Sequence, residues 1–167
     1  MNTRTLINSI AAASLFAGLA TAALPDLSLV RVEASAEIKA TPAAAWKALT
    51  GVEGQSAMGF KPDAPGQAVS EGKPVHGDCA GDKGNLVVTR SVKEKELRIY
   101  FDPDHGGYVC HTRIRLEPTA AGVRVTLSDW YSEEKADQKE KNRAASQQGM
   151  EQGIDAFKRL LESGKGK

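Results

Sequence analysis

The sequence has no excess of charge of either sign. Of its 167 residues, 22 are basic and 21 acidic, and Arg4 is the only charged residue before Asp26. Loss of an N-terminal leader would leave 21 basic against the same 21 acidic residues. Such neutrality offers no electrostatic attraction to nucleic acid or to an anionic membrane surface, and neither is expected as a partner. Cysteine is scarce too, with Cys79 and Cys110 the only two. A chain of this size buries roughly 68–70% of its unfolded surface and folds without a disulfide scaffold or a metal. The three histidines, His76, His105 and His111, sit on separate segments with no ligand spacing, so no metal and no cofactor is expected. Gly77-x-x-x-Gly81-x-x-Gly84 lacks the Gly-Lys-Ser/Thr of a phosphate loop. Asp102-Pro-Asp104-His105-Gly-Gly has acidic side chains but not the longer calcium-loop pattern, and reads as a hairpin turn.

A long apolar run is missing as well. The first residues read Met-Asn-Thr-Arg4, then a small-residue-rich apolar stretch ending in Ala20-Thr21-Ala22. A spanning helix needs about 20 strongly apolar residues, whereas this run contains Asn8, Ser9 and Ser14 among many alanines. The pattern is that of a secretory signal peptide over residues 1–22, cleaved after Ala22, with no stable membrane anchor. The mature chain, 23–167, is then periplasmic or secreted. Export opens two readings of the cysteines. An oxidising compartment lets Cys79 and Cys110 bridge, closing a loop of about 30 residues for something like 3 kcal/mol. Alternatively both are buried free thiols that pack as small apolar residues.

Period two dominates what remains. From Leu27 to Ile38, Val30, Val32, Ala34, Ala36 and Ile38 alternate with polar residues, which predicts a half-buried strand. Thr41-Pro42 supplies a helix cap and a proline at the first helical position, so Ala43 to Leu49 is a short helix stopped by Gly51, with Trp46 and Leu49 facing the sheet. Residues 51–72 are rich in glycine and read as a loop holding a short helix and one weak strand. Turn signals then separate five β-prone runs, Val75–Ala80, Asn85–Val92, Glu96–Phe101, Tyr108–Glu117 and Val123–Tyr131. They form an antiparallel meander. From about Ser132 to Glu162 the composition turns helical, with Met150, Ile154, Phe157 and Leu161 spaced by four, three and four. At roughly 1.5 Å per residue this helix would reach about 40–45 Å.

Alternation also assigns faces. In the last strand Val123, Val125 and Leu127 point inward and carry Asp129 and Tyr131 with them; in the strand before, Ile114 and Leu116 carry Tyr108, Cys110 and Thr112. Leu97, Ile99 and Phe101 point inward, Arg98 and Tyr100 outward. Cys110 and His111 look like a thiol beside its base, but neighbours on a strand face opposite ways and form no dyad. Asp129, Tyr131 and Tyr108 are thus polar groups on an apolar face, where a carboxylate is costly unless partnered. They could act as general acid or base; equally, Asp129 could reach solvent or cap the following helix. Arg143, Gln147 and Met150 lie on one stripe of that helix, so Arg143 or Gln147 either meets Asp129 or a ligand, or forms a solvated face. Two strands between those of Cys79 and Cys110 would hold the two cysteines roughly 14 Å apart in a flat sheet, beyond disulfide reach unless the sheet curls.

The order strand, short helices, meander, long helix, together with Ala36-Glu-Ile-Lys-Ala-Thr-Pro-Ala-Ala-Ala-Trp46-Lys-Ala-Leu49, resembles the START-related superfamily called SRPBCC. Leu116-Glu-Pro118, Gly122-Val-Arg-Val-Thr-Leu127 and Gly153-Ile-Asp-Ala-Phe-Lys-Arg-Leu-Leu-Glu162 carry the resemblance further. It implies an α+β helix-grip fold, a curved antiparallel sheet of about six or seven strands around the C-terminal helix, with a pocket between them for an apolar small molecule. That superfamily contains binders, lipid carriers and polyketide cyclase/dehydratase-like enzymes, and no catalytic residue common to all of them can be carried over. Three readings follow. The first is an exported protein, monomeric or weakly dimeric, binding a hydrophobic or aromatic molecule through Phe101, Tyr108, Thr112, Asp129, Tyr131, Gln147 and Met150. The second is a cyclase/dehydratase- or lyase-type enzyme using Asp129 with Tyr108 or Tyr131. The third is an envelope interaction protein with a collapsed pocket, favoured by the low aromatic content of 5%.

Overall fold

The computed structural model describes residues 29–106, 108–132 and 139–164. The leader expected over 1–22 and the start of the first strand at 27–28 lie outside these residues. Ten elements follow one another: β1 (Leu29–Ile38), α1 (Pro42–Thr50), α2 (Val52–Ala57), β2 (Phe60–Pro62), β3 (Pro74–Cys79), β4 (Asp82–Val92), β5 (Glu96–Pro103), β6 (Cys110–Thr119), β7 (Gly122–Ser132) and α3 (Lys139–Glu162). The strands form one antiparallel sheet ordered β1-β7-β6-β5-β4-β3-β2. The meander is therefore joined at its far end by the first strand, which pairs Leu29 with Ser132 through Ile38 with Val123.

Local chemistry accounts for the short elements. The Thr41 hydroxyl accepts from the Ala44 amide at 3.1 Å with Pro42 opening α1, and the chain leaves that helix at Gly51, whose amide donates to Ala48. Leu49 is buried and Trp46 half-buried against the core, as expected. The 51–72 segment does contain a short helix and a weak strand, α2 and β2. At Gly54 a Cβ would lie 2.0 Å from the Ala48 carbonyl oxygen and 3.1 Å from the Phe157 ring, so only glycine lets α2 lie flat between α1 and α3.

Two boundaries differ from the sequence expectation. Residues 81–84 do not form the turn between β3 and β4; Ala80 (φ 55°) and Gly81 (φ 103°) make it alone, and Asp82 already pairs with Cys79. Positive φ at both central residues suits the twist of a two-residue hairpin. Ser132 ends β7 rather than opening the helix, because the ladder with β1 continues to it. The described part of α3 starts at Lys139 and its 24 residues span about 36 Å; residues 133–138 lie outside the description.

The stripe on α3 closes the core. Phe157 is fully buried and Ile154 and Leu161 nearly so, against inward residues such as Ile38, Val123 and Val125. The helix also seals the exposed edge of β1. Gln147 donates from Nε2 to the Glu33 carbonyl at 2.9 Å and accepts from the Glu33 amide at 3.3 Å, while Glu162 accepts from the Lys39 amide at 3.2 Å. These side chains satisfy backbone groups that an edge strand leaves unpaired. Among the described residues no helix is long and apolar enough to cross a membrane.

Candidate functional site

Burial along the concave face is uneven, and this locates the site. At one end of β6 and β7 the facing pairs Leu116–Val125 and Ile114–Leu127 are buried. Farther along, Thr112 faces Asp129 and Cys110 faces Tyr131, and of these four only Tyr131 is buried. Met150 on α3 and Ile99 on β5 are half-buried there too. The grip is filled at the Phe157 end and loosens toward the N-terminal half of α3.

The loosened end is polar. Thr112 donates to Asp129 Oδ1 at 2.5 Å and the Cys110 thiol to Oδ2 at 3.0 Å, so cross-strand neighbours occupy both carboxylate oxygens. Asp129 thus turns inward and is half-buried, and the start of the following helix, which it could cap, lies outside the described residues. Burial raises its pKa above the ordinary aspartate value, and the bonds from Cys110 and Thr112 only partly offset this. Tyr108 does not join it. The Tyr108 hydroxyl donates to Asp82 Oδ2 at 2.6 Å, and burial followed by that bond pushes the phenol well above its usual range. Tyr131 takes a bond from the Ser146 hydroxyl of α3 at 3.3 Å. The expected trio thus has separate hydrogen-bond partners, although Tyr108, which precedes β6, packs against the core with the other inward residues. Asp82 and Ser146 were not expected here. Asp82 was hidden by the misplaced turn, and Ser146 by a helix stretch without an apolar stripe.

Of the remaining candidates, Phe101 is buried opposite Cys110 and serves as wall. Gln147 is engaged by the β1 edge, and Arg143 is exposed in an ion pair with Glu140 at 3.2 Å. His111 is exposed on the other face, its ring centroid 5.1 Å from that of Tyr100, so it has no part in a Cys110 dyad. Among the described residues no group of three or more His, Cys, Asp or Glu could hold a metal ion.

Cys79 and Cys110 are separate free thiols, the second of the two readings, and no disulfide joins them. Strands β4 and β5 stand between them, as the spacing argument required. Burial, with Asp129 next, pushes the Cys79 thiol up to about 12 and raises Cys110 as well. Both stay protonated at neutral pH and make poor nucleophiles. Iodoacetamide at pH 8 is expected to alkylate the native protein at least about tenfold more slowly than the unfolded chain. Intact mass against time measures this, and rapid double labelling of the native protein would contradict it.

A curled seven-stranded antiparallel sheet holding a C-terminal helix, with two short helices after the first strand, decides the architecture. The chain has the helix-grip fold. The sequence matches no family model and no curated protein. Similar solved structures include DynU16, a protein of the dynemicin biosynthetic locus, at 18% identity and TM-score 0.67 over 81% of this chain. This helix-grip chain covers 48% of DynU16. MLL2253 from Mesorhizobium loti is similar at 19% identity and TM-score 0.66, covering 80% of this chain and 97% of that one. The third is Aha1 from Colwellia psychrerythraea, described as a dimer, at 20% identity and TM-score 0.63, covering 81% and 98%. At these identities the likeness carries the helix-grip architecture and not an activity.

Proposed function

We propose that this helix-grip protein is exported and binds an apolar or aromatic small molecule at the loosened end of its concave face, beside the N-terminal half of α3. The observation that carries the reading is the change from buried to half-buried inward residues between Ile114–Leu127 and Thr112–Asp129. Ligand sites combine mostly apolar walls with a few placed polar groups. Here Ile99, Met150 and the Tyr131 ring supply the walls, and Tyr108 and Asp129 the polar groups. The thiols add soft, protonated surface without reactivity. Asp129 favours a second reading, a cyclase/dehydratase- or lyase-type enzyme, because burial has made its carboxyl easier to protonate. In that reading Tyr108 or Tyr131 would assist it.

Native mass spectrometry of the protein purified from its own envelope without detergent tests the binding reading. A reproducible adduct of a few hundred daltons on a chain beginning at Ala23 is expected, the protein being a monomer or a weak homodimer. A clean protein mass together with failure to bind any hydrophobic probe would leave a collapsed pocket and refute it. A chain retaining residues 1–22 would refute export.

A further inference from the structure

The convex face carries an arrangement that the concave site does not use. Sheet register sets Arg90 opposite Arg98 and Arg98 opposite Arg113, three guanidiniums in one row across β4, β5 and β6. Like charges directly opposite on neighbouring strands are destabilising. Among the described residues a single carboxylate, Glu96, answers them. Arg98 Nε lies 2.7 Å from its Oε1 and Arg113 Nε 2.6 Å from its Oε2, with Arg90 at 3.6 Å. Three cations around one anion leave two positive charges in excess. The neighbouring row is aromatic: Tyr100 faces His111, His111 faces Trp130, and the Arg31 guanidinium rests 5.6 Å from the Trp130 ring centroid.

A groove of about 330 Å³ opens between these rows, lined by Arg98, Arg113, His111, Trp130 and Thr89, with the sheet at Ile99 and Thr112 as its floor. Its position follows from the irregularity between Val88 and Arg90, where Thr89 is left out of the ladder with β5. The side chains of Arg98 and Arg113 keep 46% and 37% of their surface exposed, so their guanidiniums remain within reach of solvent. Guanidinium forks match the geometry of carboxylate and phosphate, and aromatic walls suit a planar ring. We infer that this groove binds a small aromatic anion, a single ring bearing a carboxylate or phosphate, through Arg98 and Arg113 with its ring against Trp130 and His111. The bound anion offsets the repulsion built into the arginine row.

The chain has two tryptophans, so W46F leaves Trp130 as the only indole reporter. Benzoate and phenyl phosphate, titrated into W46F and followed by the Trp130 indole resonance, are expected to give saturable shifts with a Kd of about 1 mM or tighter. Whichever of the two binds more tightly identifies the anion. R98Q, made in the W46F background, is expected to weaken binding at least tenfold while leaving the melting temperature near that of its parent. R98K keeps the charge but loses the fork, and should weaken it by a smaller factor. Benzyl alcohol should leave Trp130 unmoved, and inorganic phosphate should bind more weakly than phenyl phosphate. Shifts that do not saturate, an equal response to benzyl alcohol, or unchanged affinity in R98Q and R98K would overturn the site. None of these outcomes bears on an apolar adduct in the concave face, which the native mass reads separately.

Discussion

Phe157→Ala is expected to lower the unfolding free energy by about 3–5 kcal/mol, the range for truncating a fully buried aromatic. The high end applies for three reasons. Phe157 is 0% exposed. Its ring lies 3.1 Å from where a Cβ on Gly54 would stand, so it fixes α2 as well as filling the space under the sheet. And α3 has few other anchors, since only Ile154 and Leu161 accompany it in full burial while the N-terminal half of the helix faces solvent apart from residues such as Ser146, Gln147 and Met150. At roughly 2–4 °C per kcal/mol for a domain near this size, the melting temperature should fall by about 10 °C or more. Urea unfolding with and without the substitution measures it. A loss below about 1.5 kcal/mol, the cost of a conservative core swap, would mean that helix and sheet are not locked together at this residue.

The reach of the sequence and its limits have the same physical source. Alternation repeats every two residues and a helix stripe every three or four, so strands, faces and the Ile154–Phe157–Leu161 stripe are visible without knowing any partner. The Thr41-Pro42 start is local chemistry and was equally legible. What the chain could not reveal is register. Alternation turns Thr112 and Asp129 inward, but only the β6–β7 ladder sets them opposite each other and hands Asp129 the Thr112 hydroxyl. Likewise Arg98 and Arg113 were legible as outward residues, while their confrontation around Glu96 belongs to the β5–β6 pairing. Asp82 was lost to a different cause. Ala80 at positive φ is a conformation that alanine rarely adopts, so the glycine-rich stretch after it attracted the turn. Tyr108 precedes β6 yet packs against the core as alternation expects; what alternation could not supply is its partner Asp82.

Replacing Asp129 by asparagine is expected to make the protein more stable at pH 7, a direction opposite to most substitutions. Burial raises the folded-state pKa of Asp129 above its unfolded value, so the folded protein holds that proton more tightly than the unfolded chain does. The stabilising contribution is complete below the unfolded pKa and is lost as pH rises through the folded one. At neutral pH the native state therefore carries a poorly solvated carboxylate that asparagine removes, while its carbonyl still accepts from Thr112. Relief of a buried charge is commonly about 1 kcal/mol or more, which is roughly 2–4 °C in melting temperature here. Near pH 3 the carboxyl is protonated in both states and variant and parent should converge, even as Glu33 and Glu96, whose pKa values are held down in the fold, weaken both proteins alike. Thermal melts of the two proteins at pH 3 and pH 7 decide it, and a variant less stable at pH 7 would show that the Thr112 and Cys110 bonds outweigh desolvation. A gain would mean that the carboxylate is retained against stability, as groups serving a ligand or a reaction are. Adduct affinity then separates these roles. A binding protein should keep its ligand within a few-fold in the asparagine variant, whereas an enzyme using Asp129 as acid or base would lose about 10²–10⁴-fold in turnover.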